Sequence, residues 1–472
     1  MTVTATPTAT STVDTTDIGE SRRQRHRLLG AWEATGRNDL RTHLAHFEPL
    51  PPTGGDFAER FLAALERAGL TGRGGAGFPA AVKLRSRRPS SLSAFRVGGR
   101  TSGPARSPFA AGRAVLVVNA MEGEPASMKD RVLLSCAPHL VIDGAQLAAV
   151  AVGARRVVVC VPDDRHDVAS GVLRALAERR ATRHTLVPVD VARPPGRFVA
   201  GEESALVGWL SRGNGAPAFR LDRSAPLTLA GGPAVVHNAE TLAHMALIAR
   251  WPETGMPQAI GGRAEDALEG REPICATTLV TISGAVRRPG VYEVELGARL
   301  ADVVAMAEPA GRTAALVGGF AGTWVDGSDF DVPYSRPGLA RLGATPGAGV
   351  VMVLGPAACG LAETARIAAY MAGESAGQCG PCVFGLASIA DDLRELATGR
   401  GGRALLARIS RRAESVTGRG ACRHPDGVVR MVRSALRVFG ADAAAHASGR
   451  PCRGTFLPSA LPPGLRMSGN AR

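Results

Sequence analysis

Thr71-Gly-Arg-Gly-Gly-Ala-Gly-Phe-Pro79, with Lys83 four residues on, is the stretch that decides how this chain is read. Gly72, Gly74, Gly75 and Gly77 leave the backbone nearly bare. A bare backbone reaches φ > 0 and lets a ligand approach closely. Its N–H groups can converge on an anion, as in phosphate-binding nests. Arg73 and Lys83 add positive charge. The chain holds 58 glycines, so a plain flexible loop is the competing reading. We read the block as a nucleotide loop outside the Rossmann and Walker A classes.

Of 56 basic residues only Lys83 and Lys129 are lysine, and all others are arginine. A compact ammonium on a flexible stem is not chemically equivalent to a planar guanidinium. Two positions that escape the arginine bias mark places where that difference matters, unless they were retained by chance. Lys83 flanks the glycine loop. Lys129 lies in Asn119-Ala-Met-Glu-Gly-Glu-Pro-Ala-Ser-Met-Lys-Asp-Arg131.

A chain of 472 residues with 45% hydrophobic content is long and apolar enough for several domains with real cores. The formal net charge of +14 points to nucleic acid or an acidic protein as partner. The arginines are scattered and no nucleic-acid motif is present, so no nucleic-acid partner is expected. No apolar run is long enough to cross a membrane, and the Thr-rich N-terminus lacks a signal-peptide core. The expectation is a cytoplasmic protein, at most peripheral to a membrane redox complex. Eight cysteines in so large a chain do not form a disulfide framework, and only Cys379 and Cys382 are close in sequence.

Residues 1–52 read as a disordered segment or arm. Phe57–Leu70 has helical periodicity and leads into the glycine loop. Residues 85–112 read as a long loop. Ala114–Asn119 and Arg156–Pro162 are buried strands, each followed by a helix, which predicts an α/β domain over 53–260. Thr278–Val286 and Arg288–Val294 form a hairpin pattern with a Pro-Gly turn, followed by a short helix at Leu300–Met306. This predicts a β-grasp domain over 270–345. Helical periodicity over 361–372, 384–397, 402–413 and 425–439 predicts a bundle over 350–447. Residues 448–472 are a tail.

Three further blocks carry chemistry. An acidic turn, Asn119–Pro125, follows a buried strand, where α/β sheets bind ligands. Gly201-Glu-Glu-Ser-Ala-Leu206 and His237-Asn-Ala-Glu-Thr-Leu242 supply polar groups for ribose or flavin, although a solvated helix start explains Glu202 and Glu203 equally well. Glu374-Ser-Ala-Gly-Gln-Cys-Gly-Pro-Cys382, with Cys422 forty residues on, suits iron–sulfur or zinc ligation. It also reads as a thioredoxin-type dithiol, but a helix rather than a strand precedes it.

Together and in order these blocks resemble the NADH- and FMN-binding flavoprotein subunit of respiratory complex I, and the related chains of NAD-reducing hydrogenases and formate dehydrogenases. The resemblance runs from about residue 57 to 440 and covers every block quoted. It implies a flavin- and nucleotide-binding α/β domain, an SLBB-like β-grasp domain and an iron–sulfur bundle. It further implies electron flow from NAD(P)H through FMN to a [4Fe–4S] cluster and on to a ferredoxin-like or other electron-transfer subunit. Gly72, Arg73, Gly74, Gly75, Phe78 and Lys83 would then lie against flavin and nucleotide. Glu122 and Glu124 would act at the reacting rings. Asn119, Phe198, Gly201, Glu202, Glu203, Val236, His237, Asn238 and Thr241 would complete the pocket. Cys379, Cys382 and Cys422 would be metal ligands.

The departures cluster. The family motif is Glu-Ser-Cys-Gly-x-Cys-x-Pro-Cys, and Ala376 replaces its first cysteine. Three thiolates hold either a [3Fe–4S] cluster or a [4Fe–4S] cluster with an outside ligand, for which Cys359, His424 and Asp426 are nearest in sequence; cluster loss is the third alternative. Met121 stands where the family has Asp, Phe198 replaces Tyr, and of the adenine-stacking rings only Phe78 is evident. Each lost stacking surface costs about 0.5–1.5 kcal/mol. Two alternatives to NADH oxidation therefore stay open: an FMN protein that exchanges electrons with a ferredoxin or membrane cytochrome without NADH, and a cofactor-free scaffold subunit.

Overall fold

A computed structural model describes residues 27–88, 113–220, 225–250, 277–311, 314–457 and 459. Its first unit is built on a five-stranded sheet ordered β3-β2-β1-β5-β4. The strands are β1 Val115–Asn119, β2 Arg156–Cys160, β3 Val189–Ala192, β4 Leu227–Leu229 and β5 Gly232–Asn238. β1, β2, β3 and β5 are mutually parallel and β4 is antiparallel to β5. Both faces are covered, so β1 and β2 are continuous apolar runs, as parallel strands usually are. Leu116, Val118, Val157 and Val159 feed one core, while Val115, Val117, Val158 and Cys160 feed another on the opposite face.

Helices before the sheet are α1 Gly30–Thr35, α2 Leu40–His46, α3 Phe57–Arg67 and α4 Ala80–Arg85. Those within it are α5 Lys129–Cys136, α6 Pro138–Ala151, α7 His166–Ala181, α8 Glu203–Arg212 and α9 Ala239–Ala249. α6 and α9 lie together against the sheet. A Cβ built on Gly144 of α6 would collide with the backbone of Leu242, so this close approach requires glycine.

α1 and α2 correct one expectation. Residues 27–50 are not an arm: Leu28, Leu40 and Phe47 are buried in the first core. His43 Nε2 of α2 lies 2.7 Å from Asp143 Oδ2, and Arg179 Nη2 lies 2.6 Å from Asp143 Oδ1. Two helices of six and seven residues carry too few turns to show periodicity, and tertiary packing rather than propensity holds them. The stretches 1–26, 251–276 and 460–472, and most of the expected loop after Arg85, lie outside the described residues.

The second sheet has the order β7-β6-β10-β8-β9. It comprises β6 Thr277–Gly284, β7 Gly290–Glu295, β8 Ala314–Val317, β9 Thr323–Asp326 and β10 Val350–Leu354, with helices α10 Leu300–Ala305 and α11 Arg336–Ala340. The expected hairpin is present as β6 and β7. β10 lies within the stretch assigned from sequence to the bundle, yet it is the central strand here, parallel to β6 and antiparallel to β8. A five-residue apolar run cannot be told from a buried helix segment by periodicity.

The bundle contains α12 Gly360–Gly373, a π-helical turn at Pro381–Leu386, α13 Ala387–Ala397, α14 Ala404–Val416, α15 His424–Val438 and α16 Gly440–Ala447. It packs on the second sheet through Trp324, whose ring meets Phe439 edge-on at 5.2 Å and whose backbone N–H is accepted by Ser434 Oγ at 2.9 Å. No single helix among the described residues is long and apolar enough to cross a membrane.

Gly144→Ala should destabilise the chain by about 1–3 kcal/mol through overpacking, read as a lower denaturation midpoint. An unchanged midpoint would show that α6 and α9 separate without loss.

Candidate functional site

β1 and β5 are neighbours, but the chain leaves β1 towards β2 on one side and reaches β5 on the other. Their carboxyl ends therefore form a topological switch point, where open α/β sheets bind ligands. Asn119 and Asn238 end these strands in register. Asn119 Nδ2 donates to Gly201 O at 2.8 Å, which draws the Gly201-Glu-Glu block over the strand end.

The glycine loop closes over the same point. Gly72 N donates to Phe78 O at 2.9 Å and Ala80 N to Leu70 O at 2.8 Å, so the loop is pinned at its base. Arg73 N donates to Thr241 Oγ1 at 2.9 Å. A Cβ on Gly74 would touch Asn238 Cβ at 3.4 Å. Gly75 and Gly77 have φ of 98° and 64°, values that favour glycine. Arg336 of α11, in the second lobe, donates from Nη2 to Gly75 O at 2.9 Å, and a Cβ on Gly77 would collide with its guanidinium. Gly72, Gly74 and Gly77 do have the G-x-G-x-x-G spacing, contrary to the sequence expectation, but the loop follows helix α3 and not a strand. The Rossmann geometry is therefore absent.

Lys83 Nζ lies 3.1 Å from the Glu203 carboxylate. His237 is buried beside this pair and its Nε2 has no partner among the described residues. Burial and the Lys83 charge hold its pKa well below the ordinary value, so it is a neutral imidazole with an orphaned polar atom. Orphaned buried nitrogens need an explanation, and a bound polar group supplies one. Phe78 is 52% exposed beside the loop and free to stack. The bare loop, the Asn119–Asn238 pair and His237 fit a flavin mononucleotide.

Several expected site residues face elsewhere. Glu122 has φ 37°, rare for a residue other than glycine. Its carboxylate accepts from Ser127 Oγ at 2.8 Å, Asp130 N at 2.9 Å and Arg131 N at 3.1 Å, and so caps α5. Glu124 is buried and accepts from Phe320 N at 2.8 Å and Ala126 N at 3.2 Å. Burial pushes the Glu124 carboxyl up to about 7, and burial together with the Asp130 charge pushes Glu122 upward too. Both acids are taken up by backbone donors. Glu202 caps α8, accepting from Ser204 N at 2.9 Å and Ala205 N at 3.0 Å. The side chain of Val236 is buried with Met121 in the core.

Lys129 is buried, with Nζ 2.7 Å from Asp130 Oδ1, 2.9 Å from Glu240 Oε2 and 3.1 Å from Asn238 Oδ1. Burial opposes its charge, but Asp130 and Glu240 outweigh burial and hold its pKa above the lysine value. Asn238 Nδ2 in turn donates to Asp130 Oδ2 at 2.6 Å.

Phe198 leads to the cysteine site. Its N–H is accepted by Glu374 Oε2 at 2.9 Å, and its ring meets that of His424 edge-on at 5.2 Å. Cys379, Cys382 and Cys422 line one small cavity with Ala376, Val199 and His424. Burial, then the neighbouring Cys379 and Cys422, push the Cys382 thiol up to about 12. A thiolate's charge disfavours ionisation of the thiol beside it, which a bound metal reverses. Three thiols around one cavity fit an iron–sulfur group, with the corner at Ala376 lacking a donor. Of the candidate outside ligands, Cys359 caps the far end of α12. Asp426 accepts from Gly418 N at 2.7 Å and pairs with Arg423 at 3.3 Å. Only His424 reaches the cavity.

Arg336, Glu240, Glu374 and Phe320 were absent from the expected site. Glu240 and Glu374 sit inside blocks singled out in the sequence, and that proximity was the available signal. Arg336 and Phe320 reach the site from the second lobe and left none.

A parallel α/β sheet with a glycine loop at its switch point, a second sheet and a cysteine-bearing bundle define a flavin- and iron–sulfur-type electron-transfer chain. Three family models match it in that order. They are the Nuo51 FMN-binding domain over residues 65–247, the SLBB domain over 279–307 and the NADH-ubiquinone oxidoreductase-F iron-sulfur binding region over 362–446. The chain is 27% identical over 441 residues to the second F-type NADH-quinone oxidoreductase subunit of Rhizobium meliloti, covering 90% of this chain and 96% of that one. It is 28% identical over 407 residues to the F-type NADH-quinone oxidoreductase subunit of Mycobacterium tuberculosis, covering 83% and 85%. A crystal structure of NAD+-reducing [NiFe]-hydrogenase in the H2-reduced state superposes with a TM-score of 0.70 at 29% identity, covering 90% of this chain and 67% of that one. The chain is a diverged relative of the NADH- and FMN-binding flavoprotein subunits of respiratory complex I and NAD-reducing hydrogenases.

Lys129→Ala should lower stability by about 3–5 kcal/mol, since it leaves Asp130 and Glu240 buried and unpaired. Thermal unfolding checks this; an unchanged melting temperature would show that water enters the site and screens the acids.

Proposed function

We propose that this chain is the flavin-bearing subunit of an electron-transfer oxidoreductase, moving electrons from NAD(P)H through FMN to an iron–sulfur centre and on to a partner subunit. One observation carries this. The segment Phe198–Glu203 joins the two sites: Gly201 is bound to Asn119 at the strand end, while Val199 lines the cysteine cavity and the Phe198 ring meets His424 on its wall. Gly201 follows Phe198 by three Cα–Cα steps, a reach of at most about 11 Å. The two sites are thus adjacent, as transfer from one to the other needs.

FMN, when bound, supplies the chemistry of accepting a hydride and releasing its electrons singly. The chain supplies position and charge. We assign the Gly72–Gly75 backbone with Arg73 and Thr241, and the polar ends of Asn119 and Asn238, to holding it, with Lys83, Glu203 and His237 as its charged and polar rim. Phe78 is the ring placed to stack on the nucleotide. Glu122 and Glu124 act as positioning residues: they fix the acidic turn and dock it on the second lobe. Relatives named as subunits imply that a partner subunit takes the electrons, and the excess of arginine suits an acidic one.

The visible spectrum of the protein reconstituted with FMN, before and after anaerobic addition of NADH, tests this. Bound flavin bleached by NADH is the expected result. Flavin bleached by dithionite but not by NADH would leave an FMN protein fed by another donor, a reading that buried Met121 in place of the family's Asp favours. A colourless protein would leave a scaffold. Lys83→Ala should raise the Kd for FMN about tenfold, equivalent to about 1.4 kcal/mol, by fluorescence titration. An unchanged Kd would remove Lys83 from the pocket.

A further inference from the structure

Two histidines in the bundle are fully or nearly buried, border cysteines, and keep one ring nitrogen without a partner among the described residues: His424 and His446. Ring chemistry separates them. His446 lies with Cys359 and Cys452, their ligand atoms all within 4.8 Å of one another. Its Nε2, however, accepts from Cys452 N–H at 2.9 Å. In a neutral ring the unpartnered Nδ1 must then carry the hydrogen, and a protonated nitrogen does not ligate a metal. His424 is the opposite case. Its Nε2 lies 2.8 Å from Met371 O. A carbonyl can only accept, so Nε2 carries the hydrogen and Nδ1 carries the lone pair. A metal-bound histidine almost always donates its other N–H to such a group, which fixes tautomer and ring direction. His424 is 7% exposed and lines the cavity shared by Cys379, Cys382, Cys422 and Ala376.

We propose that His424 Nδ1 is the fourth ligand of a [4Fe–4S] cluster in this cavity, taking the place of the cysteine missing at position 376. This rests on the proposed reading that the bundle holds a cluster. The other two candidates are excluded by place: Cys359 starts α12, about 21 Å of helix from the cysteine loop, and the Asp426 carboxylate is bound by Gly418 N. Exchanging a thiolate for a neutral imidazole removes one negative charge from the cluster. Histidine ligation raises a cluster's potential for that reason. The His424 ring also meets Phe198, which lies on the same short segment as Gly201 at the strand end.

The full chain is reconstituted anaerobically with iron and sulfide and labelled with 15N-histidine. Iron content, electron paramagnetic resonance and pulsed nitrogen coupling are then measured. We expect a four-iron cluster coupled to one histidine nitrogen. His424→Leu should lose that coupling and about a quarter of its iron, leaving a three-iron cluster. Ala376→Cys combined with His424→Leu should regain the fourth iron at a lower reduction potential. A four-iron wild-type cluster without histidine coupling, or a three-iron one in excess iron, overturns the assignment of His424 and leaves the cluster reading standing. No iron in either the wild type or Ala376→Cys overturns the cluster reading itself, and this inference with it. The coupling is read on the wild type, so a variant that fails to fold does not blunt the test.

Discussion

A buried ammonium, Lys129, is the contact on which the rest of the structure depends. Its ammonium donates to Asp130 and Asn238 and is ion-paired with Glu240 at 2.9 Å. Glu240 uses its other oxygen for Thr278 Oγ1 at 2.7 Å and Leu279 N at 3.0 Å. One cluster of side chains thus fastens the turn after β1, the start of α9 and the edge of β6. Removing such charges from water costs several kcal/mol per ion, recovered only when every partner is in place. Partial assembly of this cluster is therefore penalised.

The strained turn beside it follows the same logic. Glu122 accepts φ 37° because three donors converge on its carboxylate. Strain of this kind costs about 1–3 kcal/mol and persists where the surroundings over-determine it. Gly123 next to it has no room for a Cβ, since the carbonyls of Phe198 and Arg197 occupy the place. The turn thereby presses the Phe198–Glu203 segment between the strand ends and the cysteine cavity, and the spacing between the two sites becomes a property of the backbone.

Much of this was legible in the sequence because it was local. Val115–Asn119 is an apolar run that ends at a polar block, and the glycine loop carries its own composition. Lys129 stood out against a background of arginine. What stayed hidden is what only tertiary structure brings together. Asn119 and Asn238 are paired in register although 119 residues apart. Arg336 reaches Gly75 from another lobe. Val350–Leu354 carries no periodicity that distinguishes strand from helix. The acids Glu122, Glu124 and Glu202 looked like chemistry because carboxylates are reactive, yet each satisfies backbone N–H groups. That distinction depends on where the donors end up, and spacing does not encode it.

The arginine that holds the glycine loop has a thermodynamic meaning. Arg336 belongs to the second sheet, but the carbonyl it binds belongs to the loop that frames the ligand pocket. Docking of the lobes and shaping of the pocket therefore share one free energy. By linkage, whatever affinity the docked lobe adds for a ligand, the ligand returns as tighter docking. A chain whose second lobe has come loose holds its ligand more weakly by the same factor, and a loaded chain resists opening. Occupancy of the pocket and docking of the second sheet are thus two readings of one equilibrium.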